Sequence, residues 1–199
     1  MSRKLLTFYK SFGPVDELVR VLYTIPGGHV SVAKADQGPL AGTGMRAWDP
    51  LPWHASVKCD LGVTLPPTES LAEHWVFEVD EIIAWDQLRA TDRTVKFTSL
   101  VSPRTDIDDT TFRARYAGHQ TVASEHHGAC VRYIQNVLLN PMQGPNGHTV
   151  HAVSELTFDS ADEMVAGIYT YGPASIDAVR ADTTGFIDFT RACSALSGE

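Results

Sequence analysis

Cysteine is scarce in this 199-residue sequence: Cys59, Cys130 and Cys193 are odd in number and widely scattered. Such a set supports neither a disulfide framework nor a zinc knuckle. Positive charge is also short. The formal net charge is −8, and the concentrated basic face that a nucleic-acid partner requires is missing. No stretch approaches the ~20 apolar residues of a membrane span. The segment from Met1 to Thr7 has neither the apolar run nor the small-residue cleavage site of a signal peptide. The GxxxxGK(S/T) phosphate loop, the GxGxxG dinucleotide fingerprint and the GxSxG nucleophile elbow are all lacking. These absences lead to the expectation of a cytoplasmic, reduced-thiol protein with no nucleic-acid or membrane partner.

What is present is an ordinary globular composition, 43% apolar and 20% charged. Its pattern alternates short strands with helices. In the second half, Val95–Val101, Cys130–Gln135 and Ala152–Phe158 read as strands. Asp108 to Tyr116 reads as a capped helix, and Phe158-Asp159-Ser160 opens another. The first half follows a similar plan. Lys4–Tyr9 reads as a strand and Pro14–Tyr23 as a helix with Leu18, Val19, Leu22 and Tyr23 on one face; Ala55–Leu61 and Trp75–Asp80 read as further strands. The order strand, helix, strand, strand, helix, strand is the split βαβ plan. The expected fold is α+β: tandem ferredoxin-like units, βαββαβ, whose antiparallel sheets form a dimeric-type α+β barrel. The units are expected at 1–90 and 91–199, joined near Gln87 to Thr94. The helix-free faces of the two sheets are expected to meet, within one chain or across a homodimer.

The second half, clearest over residues 95–191, resembles the EthD-like branch of the dimeric α+β barrel superfamily, and the resemblance implies that the paired sheets enclose one small-molecule cavity between them. In that branch a helix of the form F-x-x-x-(W/Y) leads into a histidine aimed at the cavity, and Phe112, Tyr116 and His119 resemble this motif. The family more often places the histidine four residues after the aromatic, and here it comes three after. Positions i and i+3 still share a helical face. The Arg132-Tyr133 strand and the acidic positions Asp182 and Asp188 also look like the family's.

Histidine suits proton transfer near neutral pH, its free pKa being about 6.5. His119 is therefore the expected base, with Tyr116 or Tyr133 polarising a substrate oxygen, against the alternative that its ring only hydrogen-bonds a carbonyl at a helix end. Trp53 and His54, following two prolines, and Trp48-Asp49 are candidates for an aromatic lid, against the alternative that the tryptophans pin a loop. Phe112, His127 and Glu155 complete the candidate substrate contacts. His127, in the tandem His126-His127, has the competing reading of a helix C-terminal cap. Glu78 and Glu155 occupy equivalent-looking strand positions, and burial would raise the pKa of either into the range of a general base. His148 and His151 are spaced by three, which puts them on opposite faces of a strand and argues against a metal pair.

Three functions follow. The first is a cofactor-independent lyase or isomerase acting on a small, largely apolar or aromatic oxygenated molecule by His-mediated proton transfer. The second is a non-catalytic binding or accessory protein of a degradation pathway. The third is a haem-binding or oxygenase barrel, which the resemblance implies because related barrels bind haem through histidine. The leading expectation involves no cofactor and no metal, with a small-molecule substrate and a homodimeric assembly as partners.

Overall fold

A computed structural model describes residues 2–34, 37, 43, 50–88 and 94–198. The first half comprises β1 (Ser2–Ser11), α1 (Val15–Leu22), β2 (His29–Ala33), β3 (Ala55–Asp60) and β4 (Ala72–Asp86). The second comprises β5 (Val95–Val101), α2 (Asp109–His126), β6 (Arg132–Gln143), β7 (Thr149–Phe158), α3 (Ala161–Gly167), α4 (Pro173–Thr183) and β8 (Cys193–Gly198). Of the expected join from Gln87 to Thr94, residues 89–93 lie outside the described residues, and so do Trp48 and Asp49.

Each half builds an antiparallel sheet in the same order, β4-β1-β3-β2 and β8-β5-β7-β6. Pairing of β2 with β8 and of β4 with β6 closes the two into one eight-stranded barrel. Closure removes every exposed sheet edge. Because it occurs within the chain, no second copy is needed to cover the bare sheet faces.

The halves are unequal in their helices. The second has the full βαββαβ plan with its second crossover split into α3 and α4. In the first, residues 61–71 run from β3 to β4 as turns and extended chain, without a helix. The equivalent strands also differ from the sequence reading. Sheet order makes β3 the counterpart of β7 and β4 the counterpart of β8. Glu78, on β4, is therefore not the counterpart of Glu155 on β7, and it lies exposed.

Strand alternation sorts the core into an inside and two outsides. Inside the barrel, Leu6, Phe8, Trp53, Phe77, Val79, Leu100 and Leu138 pack into one cluster. On the outer face of the first sheet, Leu18 and Leu22 of α1 pack with Tyr9, Val57 and Cys59. On the outer face of the second, α2 and α3 bring Ala123 and Met164 against Phe97, Tyr133, Leu156 and Phe158.

The other end of the barrel interior is charged. Lys58 bonds Glu81 at 3.0 Å and also Glu155, while Lys96 reaches Glu155 at 3.1 Å. Asn136 adds a 2.8 Å hydrogen bond to Glu155. The cluster joins β3, β4, β5, β6 and β7. Lys58 pairs with Leu6 across β3 and β1, and Glu155 pairs with Thr98 across β7 and β5. With Lys4 aligned on Lys96, these are equivalent positions in the two halves. A lysine in one half thus meets a glutamate in the other, a complementarity that two identical halves would lack.

Candidate functional site

Asp108 starts α2 as its N-cap, accepting a 2.7 Å hydrogen bond from the Thr111 backbone N–H. From there Phe112, Tyr116, His119 and Ala123 recur every three to four residues and form the buried face of the helix. The three-residue step from Tyr116 to His119 therefore keeps the histidine on the sheet-facing side. α4 packs alongside α2 and supplies Asp182. The His119 Nδ1–H donates to Asp182 Oδ2 at 2.6 Å, which leaves Nε2 as the basic nitrogen. His119 is 8% exposed. Burial lowers its pKa below 6.5, with Asp182 partly opposing that shift, so the ring is a neutral base at pH 7.

A cavity of about 440 Å³ opens between the second sheet and helices α2 and α4. His119, His127, Tyr133 and Ser154 supply polar groups to its wall, and Phe97, Leu156, Ile176 and Val179 supply apolar surface. Tyr133 is fully buried, and desolvation pushes its phenol up to about 12, with hydrogen bonds from Gln135 and Ser154 acting the other way. It stays protonated and acts as a donor rather than a base. Gln135 Nε2 donates to the Tyr133 oxygen at 3.1 Å and to the Tyr116 carbonyl at 2.6 Å. Gln120 Nε2 in turn donates to Gln135 Oε1 at 2.7 Å. The phenol is held by a chain of amides that fixes its position.

The cavity is not where the sequence reading put it. The barrel interior between the two bare faces is filled by apolar groups at one end; at the other, Lys58, Glu81, Lys96 and Glu155 line a smaller, polar pocket of about 240 Å³. The space beside His119 lies on the helix-covered side of one sheet. The corresponding side of the first sheet is packed by Tyr9, Leu18, Leu22 and Val57.

Of the expected residues, His119, Tyr133 and His127 come together on this cavity. His127 is both cap and cavity residue. It is the C-cap of α2, and its Nδ1–H donates to the Ile168 carbonyl at 2.6 Å. Tyr116 and Phe112 stand one layer back. Their rings stack at 5.6 Å, and the Tyr116 hydroxyl hydrogen-bonds Ser154 at 2.8 Å. Trp53 and His54 do not form a lid on this cavity. Trp53 packs edge-on against Phe8 at 4.8 Å inside the barrel, and His54 Nδ1 accepts from the Ser11 backbone N–H at 3.0 Å. Both lie immediately before β3 and are held by contacts with β1. Glu155 points the opposite way from Ser154, into the barrel. Burial alone would raise its pKa, but Lys58 and Lys96 outweigh that and hold the carboxyl far below its usual range. It is an ion-pair anchor, not a general base and not a substrate contact in this cavity.

Sequence reasoning did not assign Asp182 to His119, since the two are 63 residues apart. Ser154 and Gln135 were missed as well, because polar residues on a strand give no sign of which face they serve. His151 bonds Asp109 at 3.1 Å, and among the described residues no group of three or more His, Cys, Asp or Glu is arranged to hold a metal. No helix among the described residues is long and apolar enough to cross a membrane.

With this geometry in place, comparison with known proteins gives one family match, to the EthD domain over residues 104–190. Residues 104–190 thus resemble an EthD domain. The match begins just after β5 and includes His119, His127, Tyr133, Ser154 and Asp182. Over nearly the full length, the fold is similar to a putative monooxygenase from Fusobacterium nucleatum subsp. nucleatum ATCC 25586. The TM-score is 0.58 at 8% identity, covering 98% of this chain and 90% of that one. An anthrone oxidase-like protein gives a TM-score of 0.58 at 10% identity, with 98% and 90% covered. At these identities the likeness shows the fold alone. No functionally curated protein matches the chain. The chain is an α+β barrel with a cavity of about 440 Å³, walled by residues that fall largely within the EthD match.

Proposed function

We propose that the EthD-like half is a proton-transfer enzyme acting on a small, largely apolar, oxygenated molecule. The observation that carries this reading is the His119–Asp182 pair at the wall of a mostly apolar cavity that Tyr133 also lines. His119 Nε2 removes a proton from a carbon next to a carbonyl. The electron pair moves onto the carbonyl oxygen, which Tyr133 O–H stabilises as it gains charge. Asp182 holds the ring in the required tautomer and stabilises the imidazolium that forms. Return of the proton to another carbon completes an isomerisation; departure of a leaving group from the neighbouring carbon completes an elimination. The burial of His119 supports the reading, because a neutral base at pH 7 is what the step needs.

A second reading is a cofactor-independent oxygenase, in which the same carbanion passes its electrons to dioxygen. It is favoured by the names of the two similar structures, a putative monooxygenase and an anthrone oxidase-like protein. Both readings share the first step. The test is exchange of acidic C–H hydrogens of bicyclic and tricyclic aromatic ketones into D2O, followed by NMR, with dioxygen uptake recorded in parallel. Wild type is expected to catalyse exchange, and His119→Ala to lose it by about 10²-fold or more. Full exchange in His119→Ala would sink both readings. Dioxygen uptake distinguishes the second from the first, and binding without exchange would favour an accessory protein. Homodimerisation of whole barrels is a separate proposal, tested by sedimentation.

A further inference from the structure

His127 has one nitrogen committed and one open. Its Nδ1 donates to the Ile168 carbonyl at 2.6 Å, an acceptor that fixes the tautomer with the proton on Nδ1. Its ring packs on Tyr169 at 5.6 Å. The residue is 5% exposed, and that small exposure faces the cavity, whose wall it forms. Among the described residues Nε2 has no protein partner. Desolvation lowers the ring's pKa to about 4, with His119 and His126 reinforcing the shift against the Ile168 carbonyl. At neutral pH the open nitrogen is a bare lone pair, an acceptor that cannot donate.

We propose that His127 Nε2 selects ligands by accepting a hydrogen bond from a hydroxyl, so that the cavity takes a hydroxylated aromatic molecule. A buried acceptor left unmatched is costly, whereas a matched one discriminates well. An ether or a carbonyl at the same place would set lone pair against lone pair. The apolar wall of Phe97, Leu156 and Ile176 suits the ring system that carries the hydroxyl. His127 follows His119 by eight residues, about 12 Å along the helix axis. The hydroxyl is therefore read at one part of the ligand while the proton leaves from another. This deepens the proton-transfer reading by naming a substrate class, and it rests on the same cavity being the binding site.

The test measures binding of 1-naphthol and 1-methoxynaphthalene by calorimetry at pH 7, with wild type, His127→Asn and His119→Ala. Asparagine keeps a donor for the Ile168 carbonyl and deletes the open acceptor, so the fold is preserved; an unchanged melting curve checks this. Wild type is expected to prefer the naphthol by about tenfold. His127→Asn should reduce that preference to near unity, and His119→Ala should retain it. A preference that survives in a folded His127→Asn protein, or wild type that binds neither probe or both equally, would overturn the assignment. Loss of preference in His127→Asn, together with unimpaired proton exchange in His119→Ala, would instead remove the catalytic reading and leave this one standing.

Discussion

Replacing Glu155 by alanine takes one carboxylate from a site where two lysines converge. Glu155 is 3% exposed, and Lys58 and Lys96 both reach it. Removing one member of a buried ionic cluster typically costs about 3–5 kcal/mol, because the charges left behind stay desolvated. Lys58 retains Glu81 at 3.0 Å, which places the expected loss at the lower end, about 3 kcal/mol. For a chain of this length that corresponds to a fall in Tm of roughly 6–12 °C. Urea unfolding followed by circular dichroism reads it directly, as a lower midpoint with little change in slope. The pH dependence has a definite sign. The folded carboxyl titrates far below its usual 4.5, so its contribution is fully present above pH 4.5 and is lost as pH falls below it. The wild-type advantage over Glu155→Ala should therefore shrink on acidification. A variant within about 0.5 kcal/mol of wild type, in the range of ordinary surface substitutions, would refute the reading of this cluster as the bridge between the halves.

Two further outcomes concern the cavity. Asp182 raises the pKa of His119 against the effect of burial, so Asp182→Asn should move the acidic limb of the activity profile to lower pH. It should also cut turnover by about 10²–10⁴-fold through loss of the tautomer; an unshifted limb with full turnover would contradict the pairing. His127 has a folded pKa of about 4 against 6.5 for the free ring. The unfolded chain therefore binds the extra proton first, and stability declines as pH falls from 6.5 to about 4, by about 3 kcal/mol in all. His127→Asn should flatten that slope in denaturant titrations at stepped pH; an unchanged slope would place the acid sensitivity elsewhere.

Much of the architecture was legible in the chain. Val95–Val101 matches β5 residue for residue, and Asp108 and Ser160 are the N-caps of α2 and α3. Local chemistry fixes these, so local reading finds them. β8 is built from Cys-Ser-Ala-Leu-Ser-Gly, with no large apolar alternation, and exists because β5 and β2 flank it. β2 has five residues and hides behind the Pro26–Gly28 turn. Missing these two strands shifted the correspondence between the halves and made Glu78 look equivalent to Glu155. The side on which the cavity lies was not legible either. Both faces of β7 are buried, Ser154 under the helices and Glu155 inside the barrel, so alternation carries no information about which face serves a ligand. Trp53 and His54 illustrate the same limit. Their proline-rich loop was compatible with a lid or a pin, and only the tertiary contacts with Phe8 and Ser11 decide for a plug and a brace.

The claim on which the rest depends is that substrate sits between the second sheet and helices α2 and α4. A crystal structure with 1-naphthol or a tricyclic aromatic ketone soaked to saturation tests it most directly. The expected result is ligand density against His119, His127 and Tyr133, with a polar atom of the ligand within hydrogen-bond distance of one of the two imidazoles. Density confined to the charged end of the barrel near Lys58 and Glu155, with the space beside His119 filled by shifted side chains, would contradict it.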